Sequence, residues 1–239
     1  MQGENGQNVD LTFKQGSGMI VCGTSNSGKT SVVFDLLRNR QMFQEPDALS
    51  NCYYFYKERN RGGLFDEALK EGLVKQFFNY MPTSEDVRAI AARHEPTVGS
   101  IFVVDDFQNS VNLDTIDIFT TINHHYRAIT IILCQSLFPV DNRFFRTISM
   151  NCPYILLKSC SRDLSFISPL AKQLYPGQNQ FLVQAFEAAT EEPYGQLLID
   201  AHSMTPKHLK VRSHIFPHQQ PTRVYVPAPG YNYSARRRR

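Results

Sequence analysis

The sequence predicts an α/β fold in which helices flank a mainly parallel central sheet. Short apolar runs with the length of strands, such as residues 101–104 and 129–134, lack the alternation of a sheet that faces water on one side. Helix-like segments separate these runs, and an alternation of strands and helices favours parallel pairing through crossovers. The chain has 239 residues, 42% of them hydrophobic, and this suits one domain with a full core.

The first half of the chain contains two expected strands and three expected helices. Residues 19–23 form an apolar run that ends in glycine, and the expected helix 27–40 follows it. Residues 51–56 are mostly aromatic, which is typical of a strand. The segments 64–71 and 84–94 have helical patterns, and the second opens with acidic residues that favour a helix N-terminus.

The second half continues the alternation. Residues 101–104 read as a buried strand, and the expected helix 114–126 carries Ile116, Phe119 and Asn123 at helical spacing. The remaining strands are expected at 129–134, 154–157, 196–200 and 211–216, and the remaining helices at 163–174 and 180–189.

A glycine-rich motif follows the first strand. Residues 23–30 read Gly-Thr-Ser-Asn-Ser-Gly-Lys-Thr and match the phosphate-loop pattern G-x-x-x-x-G-K-[ST] in full. Backbone N–H groups and a helix N-terminus surround a polyphosphate in such a loop. We expect Lys29 to reach the β- and γ-phosphates and the Thr30 hydroxyl to bind Mg²⁺. The alternative is a Gly/Ser-rich surface turn. The predicted nucleotide-binding residues are Gly23, Thr24, Ser25, Asn26, Ser27, Gly28, Lys29 and Thr30.

Two acids end the expected strand 101–104. Asp105 is predicted to hold Mg²⁺, directly or through water, as acids at this position do in phosphate-loop NTPases. Asp106 is predicted to polarise the attacking water as a general base. The alternative is that the pair of acids begins a loop or caps a helix.

A neutral polar residue ends the next apolar strand. Gln135 is predicted to reach between the water and the γ-phosphate, and the alternative is an ordinary polar residue at a strand end. In ring-forming ATPases an arginine from a neighbouring subunit stabilises charge on the γ-phosphate. We predict Arg146 for this role, with Arg143 and Arg162 as further candidates and a surface salt bridge as the structural explanation for any one of them.

The spacing of these motifs predicts the class of the fold. The segment between the first strand and Asp105 is long enough for an extra strand and its crossovers, and one helix then leads to the Gln135 strand. This order is typical of the additional-strand, catalytic-acid division of P-loop NTPases. The chain contains no N-K-x-D segment for guanine, so the predicted ligands are ATP and Mg²⁺.

The positive charge of the chain is concentrated at its C-terminal end. The formal net charge is +3, and Arg236 to Arg239 are all arginine, so the rest of the chain is near neutral. These arginines and the cations of segment 57–63 are candidate contacts to DNA phosphates. A solvated loop, a localisation signal or a solubilising end explains them equally well.

Three further features concern the location and organisation of the chain. The first ten residues are polar, and the five cysteines form no C-x-x-C pair, which predicts a protein kept inside a cell. No apolar run approaches the length of a membrane span. The expected organisation is a polar extension at 1–14, a P-loop ATPase domain at 15–217 and a disordered tail at 218–239.

With these motifs the chain resembles the poxvirus-type viral genome-packaging ATPases of the FtsK/HerA superfamily, in particular those of Maverick/Polinton elements and their viral relatives. The resemblance covers residues 15–217, and the late segments are more specific than the first two motifs, which many ATPases share. The segments that carry it are 23–30, 103–107, 133–138, 146–151, 161–163, 194–200 and 212–217.

The resemblance implies an ATP-driven motor that moves double-stranded DNA into a preformed capsid, acting as a homo-oligomeric ring docked on a capsid vertex protein. It also implies a location in the infected host cell, at a nuclear or cytoplasmic assembly site, or in the virion. Two positions depart from the pattern: Asn26 stands where many relatives have a glycine-like residue, and Asp106 stands where cellular translocases usually have glutamate. The shorter Asp106 side chain changes the position expected for the attacking water.

Two other functions fit the same motifs. One is a DNA pump or helicase of the conjugation or repair type, although such proteins usually carry extra domains. The other is a nucleotide-dependent scaffold or switch in virion assembly, which binds ATP without moving DNA. Stimulation of hydrolysis by double-stranded DNA separates the motor from the switch.

Overall fold

Nine strands form one sheet in the part of the chain that the computed structural model describes, which is residues 9–57, 63–94, 98–139, 142–159, 167–219 and 221–228. The strands are β1 (Ser17–Cys22), β2 (Asn51–Tyr56), β3 (Gln76–Phe78), β4 (Ser100–Asp105), β5 (Ile129–Cys134), β6 (Tyr154–Lys158), β7 (Gln196–Asp200), β8 (Val211–Ser213) and β9 (Arg223–Val224). The α-helices are α1 (Lys29–Arg38), α2 (Leu64–Lys70), α3 (Ser84–Ala91), α4 (Leu113–Asp117), α5 (Asn123–His125), α6 (Arg143–Asn151), α7 (Ile167–Leu174) and α8 (Asn179–Ala189).

The strand order is β3-β2-β4-β5-β1-β6-β7-β8-β9. The six strands from β3 to β6 in this order pair in parallel, and β7, β8 and β9 add antiparallel pairs at one side. Strand β5, which precedes Gln135, lies between β1 and β4 in the sheet. The segment between the first strand and Asp105, where an extra strand was expected, contains β2 and β3, and both lie on the far side of β4. The predicted fold class, an α/β fold with a mainly parallel sheet and the arrangement of P-loop NTPases, is confirmed.

Helices cover both faces of the sheet. Along β1, Met19 and Val21 belong to one hydrophobic cluster, and Ile20 and Cys22 belong to the other. Helices α1 and α2 pack on the first of these faces, and α3, α6, α7 and α8 pack on the second. Because both faces are covered, every residue of β1 is buried, which explains the near-continuous apolar runs in the sequence.

Some elements differ from those predicted. The short strand β3, the two-residue strand β9 and helix α6 were not predicted. The two strands offer too few residues for a period to be detected, whereas α6 has nine residues with Phe145 and Ile148 at helical spacing, a signal that was overlooked. The expected helix 114–126 is divided by a π-helical segment, Ile118–Ile122, between α4 and α5. The other bounds lie within a few residues of the predictions, and residues 163–166 of the expected helix 163–174 lie outside the described residues.

The core and the sheet extend beyond the predicted limits of 15–217. Phe13 is buried, and its ring centroid lies 4.9 Å from that of Tyr154. Strand β9 pairs with β8, so part of the segment 218–239 belongs to the sheet, although its composition predicted disorder. The backbone N–H of Tyr225 also donates to the Val211 carbonyl. Pairing with the edge of β8 supplies the backbone hydrogen bonds that this segment lacks by itself.

Candidate functional site

The loop between β1 and α1 closes around the side chain of Lys29. The Lys29 ammonium donates to the carbonyl oxygens of Gly23 and Thr24, at 2.8 Å each. Burial lowers the pKa of Lys29, and the nearby Asp105 carboxylate is the largest opposing influence. In the described part of the chain no carboxylate forms an ion pair with this lysine, so its charge is available to an anion.

Two glycines allow this loop to form. Gly28 has a φ of 84°, in the left-handed region where a side chain is strained. A Cβ atom on Gly23 would lie 2.6 Å from Ser27 Oγ and 2.7 Å from Lys158 Cβ, which is too close for any other residue. The phosphate-loop glycines therefore satisfy steric requirements of this backbone.

The N-terminus of α1 faces the same space without a protein cap. Helix α1 has ten residues, its N-cap is Gly28, no side chain caps it, and its first turn carries no acid. The first N–H groups of a helix lack partners within the helix and carry partial positive charge. This arrangement suits an anion such as a phosphate group.

Asp105 is buried at the end of β4, where only 1% of it is exposed. The hydroxyl of Tyr54, on the neighbouring strand β2, donates to Asp105 Oδ2 at 2.6 Å. A hydrogen bond from a buried neutral donor stabilises the ionised carboxylate and holds its orientation. The sequence reasoning missed Tyr54, because only the pairing of β2 with β4 brings it to Asp105.

The structure brings Asp106 and Gln135 to the same cleft as the phosphate loop. This cleft has a volume of about 820 Å³, and Lys29, Thr30, Asp106 and Gln135 all line it. Asp106 is exposed and has a φ of 67°. The exposed Gln135 follows β5, and its backbone N–H donates to Gln108 Oε1 at 2.8 Å. The predicted base and the predicted polar group therefore face the predicted phosphate site.

Several residues that were not predicted as site residues also line this cleft, among them Lys158, Tyr194 and Gln196. Lys158 ends β6, is 3% exposed, and donates to the Tyr194 carbonyl at 2.5 Å and to Gln196 Oε1 at 3.3 Å. Burial lowers the pKa of Lys158 to about 8. A charged residue directly after the apolar run 154–157 was a detectable signal, since parallel strands end at the edge where ligands bind.

Two of the candidate trans-acting arginines, Arg143 and Arg146, do not line this cleft. Arg146 is exposed on α6, and within the described residues it neither lines the cleft nor pairs with a carboxylate. The guanidinium of Arg143 lies 5.1 Å from the ring centroid of Phe144. Arg162, residues 58–62 of the cationic segment 57–63 and Arg236 to Arg239 lie outside the described residues.

Of the two predicted magnesium ligands, Thr30 lines the cleft, whereas Asp105 is buried at the end of β4 and does not line it. Thr30 and Asp105 supply a hydroxyl and a carboxylate oxygen, which are donors that Mg²⁺ prefers. Mg²⁺ at nucleotide sites commonly takes one or two protein ligands and completes its shell with phosphates and waters. Across the described ranges there is no cluster of three or more His, Cys, Asp or Glu side chains that could hold a metal ion.

Solved structures share this fold. The DNA-packaging ATPase B204 from Sulfolobus turreted icosahedral virus superposes with a TM-score of 0.53 at 13% identity, covering 90% of this chain and 100% of that chain. The genome packaging NTPase B204 from Sulfolobus turreted icosahedral virus 2, in complex with ATP-gammaS, superposes with a TM-score of 0.50 at 12% identity, covering 88% and 97%. At this identity the likeness establishes the fold alone. No protein-family model matches the chain. No curated protein sequence matches it either.

The helices of the described segments do not include one that is both long enough and apolar enough to cross a bilayer.

Proposed function

We propose that this chain is an ATPase that drives double-stranded DNA into a preformed viral capsid, as a member of the poxvirus-type packaging ATPases of the FtsK/HerA superfamily. The observation that carries the proposal is the convergence of Lys29, Thr30, Asp106 and Gln135 on one cleft at the carboxyl edge of the parallel strands. The fold shared with two viral genome-packaging NTPases adds support, and one of these is in complex with an ATP analogue.

Each residue has a role in this proposal. The loop 23–30 and the N-terminus of α1 bind the phosphates, and Lys29 neutralises the β- and γ-phosphate charge. Thr30 and Asp105 would hold Mg²⁺, which would supply positive charge to neutralise the phosphates. Asp106 accepts the proton of the attacking water. Gln135 orients the water relative to the γ-phosphate.

The proposed assembly is a homo-oligomeric ring on a capsid vertex protein, in an infected cell or its virion. In such a ring Arg146 reaches the γ-phosphate of the neighbouring subunit, where it stabilises the charge that develops during transfer. This fits an exposed arginine that lies away from the cleft of its own subunit. The proposed partner of the ring is double-stranded DNA, which is gripped through its phosphates.

The first test is steady-state ATP hydrolysis by the full chain, with and without linear double-stranded DNA, at low and moderate salt. A motor that grips phosphates gives DNA-stimulated hydrolysis, and the stimulation fades as salt rises because counterion release weakens binding. Hydrolysis that is indifferent to DNA at both salt concentrations contradicts the motor and favours a nucleotide-dependent switch.

A pair of lysine variants connects this activity to the cleft. Lys29→Ala is expected to lose nucleotide turnover, because the phosphate charge is no longer compensated. Lys172→Ala removes an exposed lysine on α7 and is expected to keep the wild-type rate. Wild-type turnover in Lys29→Ala contradicts the assignment of the phosphate loop.

A further inference from the structure

Tyr194 presents its ring at the rim of the nucleotide cleft. The residue is 69% exposed and lines the same cleft as the phosphate loop. A Cβ atom at Gly28 would lie 3.3 Å from Tyr194 Cδ1, so the ring is next to the phosphate loop. A large aromatic surface is thus accessible beside the proposed phosphate site.

The backbone of Tyr194 is strained. Its φ is 63°, in a region that non-glycine residues rarely adopt. In the described ranges six non-glycine residues have a positive φ, and three of them line this cleft: Asn26, Asp106 and Tyr194. Residues in such conformations concentrate at ligand-binding sites, where the surrounding structure holds them. The turn at Tyr194 shares this property with the phosphate loop and with Asp106.

The buried side chain of Lys158 stabilises this turn through hydrogen bonds. Its ammonium donates to the Tyr194 carbonyl at 2.5 Å and to Gln196 Oε1 at 3.3 Å, and among the described residues no carboxylate pairs with it. The Gly195 N–H closes the turn by donating to the Glu192 carbonyl at 2.9 Å. Burying a lysine is costly unless hydrogen bonds satisfy it, so this lysine strongly favours the turn that provides its acceptors.

The strand order gives the direction of a bound triphosphate. Asp106 and Gln135 follow β4 and β5, which lie on one side of β1, whereas Lys158 and Tyr194 lie on the other side, at β6 and before β7. The γ-phosphate has to face the proposed base and glutamine. With the γ-phosphate on that side, the nucleoside end of the ligand would extend past the phosphate loop toward β6 and β7.

We propose that the nucleobase of the triphosphate stacks on the ring of Tyr194, and that Lys158 is the positioning residue that holds this ring in place. This inference rests on the proposed nucleotide-binding function and assigns the base subsite within it. Stacking on an aromatic side chain does not depend on which hydrogen-bonding groups the base carries, so the Tyr194 ring can stack on any of the nucleobases. The exposed ring then has a partner in the nucleotide-bound state.

The test compares two ligands that differ in the base. Calorimetry measures the affinity of the full chain for ATPγS and for inorganic tripolyphosphate, each with Mg²⁺. Tyr194→Ala is expected to weaken ATPγS binding about tenfold, the scale of one base–aromatic stack, and to leave tripolyphosphate binding unchanged. Tyr194→Phe keeps the ring and is expected to keep both affinities.

A matched control and a positioning variant complete the test. Tyr80→Ala removes a tyrosine that is 45% exposed and follows β3, at the opposite end of the sheet, and is expected to change neither affinity. Lys158→Met is expected to weaken ATPγS more than tripolyphosphate, because it acts through the ring. An equal loss for both ligands would mean that Lys158 contacts the phosphates, and this overturns its positioning role.

The two proposals fail in different ways. If the wild-type chain binds both ligands and Tyr194→Ala keeps the wild-type affinity for ATPγS, the base subsite is refuted while the phosphate site stands. If the wild-type chain binds neither ligand, the proposed nucleotide-binding function fails, and the base subsite fails with it.

Discussion

Replacing Tyr54 by phenylalanine removes one hydrogen bond from the proposed magnesium ligand. The Tyr54 hydroxyl donates to Asp105 Oδ2 at 2.6 Å, and the two residues are 0% and 1% exposed. A hydrogen bond to a charged group contributes about 1.5–3 kcal/mol. Loss of a partner that orients a metal ligand costs about 10- to 100-fold in metal affinity. We therefore expect the Mg²⁺ concentration for half-maximal nucleotide binding to rise at least about tenfold in Tyr54→Phe.

The assay titrates Mg²⁺ at a fixed concentration of ATPγS and follows nucleotide binding, with thermal unfolding measured on the same samples. Tyr53→Phe is the matched control. Tyr53 is adjacent to Tyr54 on β2 but belongs to the hydrophobic cluster on the opposite face of the sheet. Its hydroxyl lies 2.8 Å from His94 Nε2. Both variants lose a buried tyrosine hydroxyl, and only Tyr54→Phe is expected to change the Mg²⁺ requirement.

Two results would refute this reasoning. One is a Tyr54→Phe chain with a lower unfolding temperature and a wild-type Mg²⁺ requirement, since the hydrogen bond would then be structural only. The other is an equal rise in the Mg²⁺ requirement of Tyr53→Phe, since the effect would then come from a general loosening of β2.

Three further predictions concern other residues of the site. Asp106→Asn is expected to keep nucleotide binding and to lower hydrolysis by about 100-fold or more; single-turnover rates near wild type would assign the base elsewhere. Mixing Arg146→Ala chains with Lys29→Ala chains is expected to recover part of the activity, because a mixed ring pairs an intact phosphate loop with an intact arginine. The absence of recovery in steady-state assays would favour Arg143, Arg162 or an arginine acting within its own subunit. Burial lowers the pKa of Lys158 from 10.5 to about 8, so its charge destabilises the folded state below pH 8 and this cost is relieved as pH rises toward 10.5. The unfolding temperature of Lys158→Met relative to wild type is therefore expected to be highest near pH 7 and to fall as pH rises from 8 to 10.5. A difference that does not change with pH contradicts the lowered pKa of Lys158.

Much of the fold was predictable because its determinants are local. The strands β2, β5 and β7 lie where apolar or aromatic runs predicted them, since strands buried on both faces of a sheet are apolar along most of their length. The proposed phosphate loop and strand-end acids rest on a related kind of local signal. Their chemistry depends on residues that are adjacent in the sequence, and each follows an apolar strand whose end defines its place.

The elements that were not predicted depend on partners distant in the chain. Strand β9 has two residues, and its place is set by hydrogen bonds to the edge of β8. Helix α6 begins at an Asn142 side chain that accepts from the N–H groups of Phe144 and Phe145, and it buries Phe145 and Ile148 against the sheet. Strand β9 has too few residues for a period to identify it, and pairing with β8 stabilises it instead. Helix α6 had local signals, an Asn142 cap and Phe145 and Ile148 at helical spacing, that were overlooked.

The sequence by itself determined the class of the sheet, the position of the phosphate loop and the acids and glutamine that end β4 and β5, because local pattern and motif spacing encode these features. Only the tertiary structure decided which distant side chains form hydrogen bonds to the residues of the candidate site. Tyr54 reaches Asp105 across 51 residues, and Lys158 reaches the Tyr194 carbonyl across 36. Both contacts follow from the order and register of paired strands, and hydrogen bonding between distant segments sets this order.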